Sequence, residues 1–212
     1  MKAPHNESKS IVVVIDDDQF VREALDSLLR SVGLRVELFA SVQEYLNSAR
    51  QDAPGCIVLD VRLPGRSGLD FQNDLVKADQ RMPVIFISGH ADVPMSVRAM
   101  KAGAFEFLTK PVRQQDLLDA VQNAIEHDRA RRGEEHALAR LRTDFESLTP
   151  RERQVMERVV AGLLNKQIAL EVGIAEATVK HHRAQLMRKM RVESLAELVT
   201  IAERLGLLRT RS

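Results

Sequence analysis

The sequence is short of the residues that staple, anchor or rigidify unusual folds. Cysteine occurs once, at Cys56, so no internal disulfide can form and a reducing compartment is the natural setting. Tryptophan is absent and tyrosine occurs once against seven phenylalanines, so a core has to be built from Leu, Val, Ile and Ala. No run of about 18 apolar residues exists, and no membrane-spanning helix is expected. Residues Met1 to Ser10 are polar and lack the apolar stretch of a signal peptide. The expectation is a cytoplasmic protein with no membrane partner. The composition of the 212 residues, 44% hydrophobic and 29% charged, is ordinary for a globular chain of one or two domains.

Net charge is +1, but its distribution is uneven. Residues 1–112 carry 13 Lys and Arg against 15 Asp and Glu, and residues 113–148 carry 6 against 8. Residues 149–212 reverse the balance, with 12 basic against 7 acidic side chains. An acidic front and a basic tail suit a chain that handles a cation with one half and meets a polyanion with the other.

The front alternates strands with helices. Ile11–Ile15 is a β-branched apolar run, the pattern of a strand buried on both faces. Phe20 to Val32 repeats at helical spacing and stops at Gly33. Leu34–Phe39 alternates as a half-exposed strand, and Ser41 with Glu44 is a capping-box pattern opening a second helix. Ile57–Leu59, Val84–Ile87 and Phe105–Leu108 read as strands, with helices expected over Leu69–Val76, over Met95–Ala102 and from about Gln114. Five strands interleaved with five helices predict an α/β doubly wound, five-stranded parallel sheet of the flavodoxin-like kind. Residues 113–148 then read as one long helix with Gly133 as its weakest point; a disordered charged tether is the alternative. The tail is all helical, with a cap at Thr149-Pro150-Arg151-Glu152, helices Asn165–Val172 and Glu176–Met190 either side of Gly173, and a further capping box at Ser194–Glu197.

Candidate chemistry gathers at one edge of the sheet. Asp16, Asp17 and Asp18 follow the first strand, Asp60 ends the third, Ser88 ends the fourth, and Lys110-Pro111 follows the fifth. A single Asp at a strand end is ordinarily a helix cap or a solvated turn residue. Parallel strands, however, bring all these ends to the same edge, where crowded carboxylates need a cation. Hard oxygen ligands suit Mg²⁺ or Mn²⁺. A lysine can neutralise a phosphoryl oxygen and a hydroxyl can donate to another, so the set is equipped for phosphoryl transfer to a carboxylate.

Residues 11–125 resemble the receiver domain of two-component response regulators, through Ile15-Asp16-Asp17-Asp18, Leu59 to Pro64, Ile87-Ser88-Gly89-His90 and Thr109-Lys110-Pro111. The resemblance implies that Asp60 is the phosphoacceptor. It implies that Asp16, Asp17, Asp60 and the backbone carbonyl of Arg62 hold Mg²⁺ (or Mn²⁺), and that Ser88 and Lys110 contact the phosphoryl group. It further implies a cis Lys110–Pro111 bond, a switch in which Phe107 turns inward as Ser88 moves, and tuning of the phosphate's lifetime by Arg62 and His90.

In the tail, the helix Glu176–Met190 carries Thr178, Lys180, His181, His182, Arg183, Gln185, Arg188 and Lys189, side chains that reach grooves and phosphates. Residues 147–208 resemble the four-helix DNA-binding domain of the LuxR/NarL class, through Leu148 to Glu152, Asn165 to Ala169 and Thr178 to His182. With Gly89 to Met95, the combination resembles the FixJ subfamily. By position, Lys180, His181 and Ala184 are expected at base edges, and Asn165, Lys166, Thr178, His182 and Arg188 at or near phosphates. Ala175 stands where relatives often have a Ser cap, at an expected loss of about 1 kcal/mol.

The expected organisation is a receiver over 1–125, a helical linker over 126–146 continuing the last receiver helix, and a four-helix DNA-binding domain over 147–212. The resemblance implies phosphorylation by a sensor histidine kinase, promoter DNA with two half-sites, a homodimer when phosphorylated, and RNA polymerase as a further partner. Pairing of the 95–108 face and release of a masked DNA-binding domain both remain open as the means of activation. The receiver is expected to catalyse only its own phosphorylation and dephosphorylation. A magnesium-dependent phosphohydrolase is the rival reading, but it would want a second Asp where Arg62 stands.

Overall fold

The computed structural model describes residues 10–49, 52–63, 66–68, 71–72, 75, 81–89 and 93–207. The chain divides into two compact units, residues 1–132 and 133–212. In the first, β1 (Ile11–Ile15), β2 (Arg35–Phe39), β3 (Gly55–Asp60), β6 (Val84–Ser88) and β7 (Glu106–Thr109) form one parallel sheet in the order β2-β1-β3-β6-β7. Helices α1 (Gln19–Ser31), α2 (Val42–Asn47), α3 (Val93–Lys101) and the start of α4 (Gln114–Glu146) accompany it. Gly68, Phe71, Gln72 and Leu75 are helical; the rest of the helix expected over Leu69–Val76 lies outside the described residues.

The period of two along β1 assigns its side chains to two layers. Val13 and Ile15 join Ile57, Leu59, Phe71 and Phe86 on one face, while Val12 and Val14 join Leu29, Val58, Ile85, Leu117 and Val121 on the other. Burial on both faces explains why the central strands are continuous apolar runs rather than alternating ones. Close packing also explains Gly55, where a Cβ would overlap the carbonyl oxygen of Ile11.

Several boundaries differ from the sequence expectation by one or two residues. The third strand begins at Gly55, because Gly55 and Cys56 pair with Ile11 and Val12 of β1. Helix α3 begins at Val93, so Pro94 lies in its first turn, where a missing N–H costs nothing. Strand β7 starts at Glu106 rather than Phe105. A short antiparallel ribbon, β4 (Arg62–Leu63) with β5 (Arg66–Ser67), was not foreseen.

Helix α4 runs unbroken from Gln114 to Glu146 and passes through Gly133 as helix. The tether alternative therefore fails, and the reason lies one turn past the apolar stripe. Asp128 continues the face of Val121, Ala124 and Ile125 and is fully buried. Its carboxylate accepts from the Gly55 N–H at 3.0 Å, from Arg131 at 2.5 Å and from Arg132 Nε at 2.8 Å, and Arg132 also reaches Asp52. A buried carboxylate needs this many donors to offset its desolvation.

The second unit packs α5 (Pro150–Val160), α6 (Asn165–Val172), α7 (Glu176–Lys189) and α8 (Leu195–Arg204) around Val155, Met156, Val159, Ile168, Val179, Leu186 and Leu198. Thr149 and Glu152 form the reciprocal capping box at the start of α5. Glu152 is buried and also takes Lys189 Nζ at 2.6 Å. Burial pushes its carboxyl up, but Lys189 and the Thr149 bonds outweigh that and hold it below the ordinary value. Gly173 ends α6 in the left-handed conformation, φ 69°, turning the chain into α7. Ala175 caps α7 with no side-chain bond, as its lack of a hydroxyl requires.

Asp128→Ala is expected to lower the stability of the first unit by about 2–4 kcal/mol, less than a fully buried pair because both arginines can reach water. Urea unfolding of the wild type and the variant measures it.

Candidate functional site

The C-terminal ends of β1, β3, β6 and β7 bring the expected residues together. Asp16 is buried, Asp60 half-buried and Asp17 exposed, and one oxygen of each lies within 4.8 Å of the others. Lys110 Nζ donates to Asp60 Oδ2 at 2.6 Å and to Asp16 Oδ2 at 2.9 Å. The remaining oxygens are held locally, Asp60 Oδ1 by the Arg62 N–H at 2.8 Å and Asp16 Oδ1 by the Asp18 N–H at 2.9 Å. Asp18 turns away from the cluster and caps α1, its Oδ1 accepting from Phe20 N at 2.8 Å. It fills the ordinary role of an Asp at a strand end, while its two predecessors do not.

Burial raises the Asp16 carboxyl above its ordinary value, against the opposing pull of Lys110 and the Asp18 N–H. Burial disfavours the Lys110 ammonium as well, but its bonds to Asp60 and Asp16 hold it above its ordinary value. The ammonium therefore stays charged through the neutral range. One ammonium against three carboxylates leaves a site whose hard oxygen donors fit a divalent cation.

Ser88 is fully buried at the end of β6, and its carbonyl accepts from the Lys110 N–H at 2.8 Å. The Lys110–Pro111 bond is cis. Phe107 is half-buried on β7 beside Phe86, ring centroids 6.3 Å apart. Gly68 packs against the backbone of Asp60: a Cβ there would stand 2.7 Å from the Asp60 carbonyl oxygen and 3.1 Å from the Phe86 ring. His90 lies outside the described residues.

In the second unit, the exposed face of α7 carries Thr178, Lys180, His181, Ala184 and Arg188, while Val179 and Leu186 are buried beneath. His182 is half-buried, to one side of that stripe. Lys166 is exposed on α6; Asn165 is half-buried, its amide oxygen taking Arg183 Nη1 at 3.2 Å. Lys180 is also paired with Glu176 at 3.2 Å, so a ligand must compete with that carboxylate.

Four positions escaped sequence reasoning. Asp128 looked like part of a solvated run, yet it continues an apolar stripe and has arginines three and four residues on, which is the readable signal. Arg183 looked like a groove-reaching side chain and instead braces Asn165. Lys189 looked like a phosphate contact and is turned to Glu152. Arg22, one turn after the helix cap, reaches back to the Asp16 carbonyl oxygen at 2.6 Å.

Comparisons with known proteins match both units to families. Residues 12–122 match the response regulator receiver domain family, and residues 146–202 match the bacterial regulatory proteins of the luxR family. The chain is 52% identical over 200 residues to Nodulation protein W of Bradyrhizobium diazoefficiens, covering 94% of this chain and 88% of the relative. It is 40% identical over 201 residues to the transcriptional regulatory protein FixJ of the same organism, covering 95% and 98%. The solved structure of the response regulator StyR superposes with a TM-score of 0.86 at 48% identity, covering 93% of this chain and all of that one.

A parallel sheet with an acid-and-lysine edge, followed by a helix-turn-helix unit, defines a response regulator acting on transcription. The chain belongs to the two-component response regulators of the FixJ subfamily, with a receiver domain and a luxR-type DNA-binding domain. Among the described residues, no helix is long and apolar enough to cross a membrane.

Lys110→Met is expected to destabilise the metal-free receiver by about 1–3 kcal/mol, because Asp16 and Asp60 then face each other without an ammonium. Adding Asp60→Asn should recover part of the loss. A double-mutant cycle in urea, in the presence of a chelator, reads the coupling.

Proposed function

We propose that Asp60 accepts a phosphoryl group from a sensor histidine kinase and that the acyl phosphate switches promoter binding by the second unit. The observation that carries this reading is the convergence of Asp16, Asp17, Asp60 and Lys110 at one sheet edge. A carboxylate oxygen of Asp60 attacks phosphorus, the phosphorus–nitrogen bond of the donor's phosphohistidine breaks, and the imidazole leaves with its electron pair and takes up a proton. Asp16, Asp17, Asp60 and the Arg62 carbonyl would hold Mg²⁺ (or Mn²⁺), which when bound supplies neutralisation of charge on the phosphoryl oxygens. The receiver's chemistry is confined to gaining and losing this phosphate.

Once Asp60 is phosphorylated, negative charge lies farther out, on phosphoryl oxygens. Lys110 follows it, and the Ser88 hydroxyl is drawn out of its buried position to donate to it. Phe107 then has room to turn toward Phe86, reshaping the face formed by α3 and β7. That is a local electrostatic change biasing a packing element with two arrangements.

Pairing of that face with a second copy is favoured by its surface. Val93 is 76% exposed, and Val97 and Met100 extend the same stripe at 44% and 46%. Such a stripe at helical spacing is costly to leave in water and suits a homodimer. A dimer presents two copies of α7 to two half-sites, and the second contact becomes effectively intramolecular. On each half-site, Lys180, His181 and Ala184 read base edges, while Asn165, Lys166, Thr178, His182 and Arg188 meet or approach phosphates. RNA polymerase is the partner through which promoter-bound protein acts. The division of labour is a receiver over 1–125, a helical linker over 126–146 and a DNA-binding domain over 147–212.

Asp60→Asn is expected to abolish phosphate incorporation from a small phosphodonor and the donor-dependent gain in DNA affinity, leaving basal binding in place. Labelling by the donor and gel-shift titration with and without it test this; a variant that still labels and responds overturns the assignment. Arg188→Ala should weaken binding to specific and unrelated DNA alike and reduce the salt slope by about 1, whereas Lys180→Ala should relax sequence preference by about 1–3 kcal/mol. Titrations at several salt concentrations separate the two effects.

A further inference from the structure

We infer that Arg22 is a positioning residue for the divalent-cation site: its guanidinium locks the Asp16–Asp17 peptide so that Asp17 presents its carboxylate to Asp16 and Asp60. The inference rests on the reading of the acidic cluster as a cation site.

Asp16 is held at four atoms. Its N–H donates to the Phe39 carbonyl at 3.3 Å, its Oδ1 accepts from Asp18 and its Oδ2 from Lys110. Its carbonyl oxygen accepts from Arg22 Nη1 at 2.6 Å. Asp17 is different. It is exposed, and no hydrogen bond to another described residue holds its carboxylate, yet an oxygen of it falls within 4.8 Å of both companions. Its direction is therefore inherited from its backbone. The carbonyl that Arg22 grips belongs to the same planar unit as the Asp17 N–H, so fixing that oxygen fixes the rotation of the plane from which Asp17 projects.

Arg22 is well placed to do this. Asp18 caps α1, and the Arg22 N–H donates to the Asp18 carbonyl at 3.1 Å, so the arginine stands one turn into a rigid helix. The β1–α1 turn is thus braced twice, at the cap and again across it. Outer-shell partners of this kind change metal affinity by 10–100-fold when removed.

The same side chain also brings a positive charge to the neighbourhood of the cluster, and the two roles have opposite signs. As a charge, Arg22 repels a cation, and its removal tightens binding. As a brace it aims Asp17, and its removal weakens binding. Arg22 is half-buried, so water screens its long-range field, while its bond to the carbonyl acts at contact distance. The brace prevails.

The test is Mn²⁺ binding to the full chain, followed by loss of the free-ion electron paramagnetic resonance signal, for wild type, Arg22→Met, Arg22→Lys and Asp60→Asn. Arg22→Met is expected to weaken Mn²⁺ binding about tenfold, and Arg22→Lys, which keeps a donor, to recover most of it. Small-donor phosphorylation should show the half-saturating Mg²⁺ concentration raised by a similar factor with the maximal rate little changed. Arg22→Met binding as tightly as wild type, or more tightly, overturns the inference, as does an equal loss in the lysine variant. Should Arg22→Met lose its cooperative unfolding transition, Arg22→Leu, which also lacks a donor, replaces it under the same expectations. A wild-type chain that binds no Mn²⁺, or an Asp60→Asn chain that binds as wild type, instead overturns the cation-site reading beneath it.

Discussion

Three carboxylates within 4.8 Å of one another and a single ammonium to offset them set the terms for the rest of the first unit. Such a cluster is unstable in isolation, since like charges at this range repel strongly once water is partly excluded. The fold accommodates it by delivering the groups from the ends of three strands, Asp16 and Asp17 after β1, Asp60 at the end of β3 and Lys110 after β7, and by pinning one oxygen of Asp16 and one of Asp60 with backbone N–H groups. The Arg62 N–H holds Asp60, the Asp18 N–H holds Asp16, and Lys110 bridges the two. The site is consequently poised, with every member sensitive to charge added at Asp60.

The opposite edge of the same sheet carries a second buried charge, and there the chemistry is closed. Asp128 is saturated by Gly55, Arg131 and Arg132, with Arg132 tied on to Asp52. The two ends of β3 thus hold acids of opposite character: Asp60 leaves coordination capacity for a ligand, and Asp128 does not. The second ties α4 to the start of β3 through the Gly55 N–H, with Arg132 reaching on to Asp52, and so holds the helix one turn beyond its apolar stripe.

The second unit rests on smaller devices: the reciprocal cap of Thr149 and Glu152, the left-handed Gly173 and the Glu152–Lys189 pair. They fix α7 with Val179 and Leu186 inward, and this orientation leaves Lys180, His181, Ala184 and Arg188 in one exposed row. The uncapped start at Ala175 is tolerated because α7 is anchored by tertiary packing rather than by its own end.

Periodicity and end signals in the sequence by themselves determined the alternation of elements, the parallel sheet, the helix-turn-helix tail and the strand ends bearing Asp16, Asp17, Asp60, Ser88 and Lys110. These are legible because hydrophobic period, caps and glycine stops act locally, and because parallel strands leave one place for their C-terminal ends to meet. Only the tertiary structure decided which aspartate caps and which joins the cluster, that Arg183 and Lys189 turn to Asn165 and Glu152, that Asp128 is core, and that Arg22 reaches back to Asp16. Those outcomes depend on partners distant in sequence, or on the few ångströms by which a long side chain reaches one oxygen and not another. No local pattern encodes such a distance.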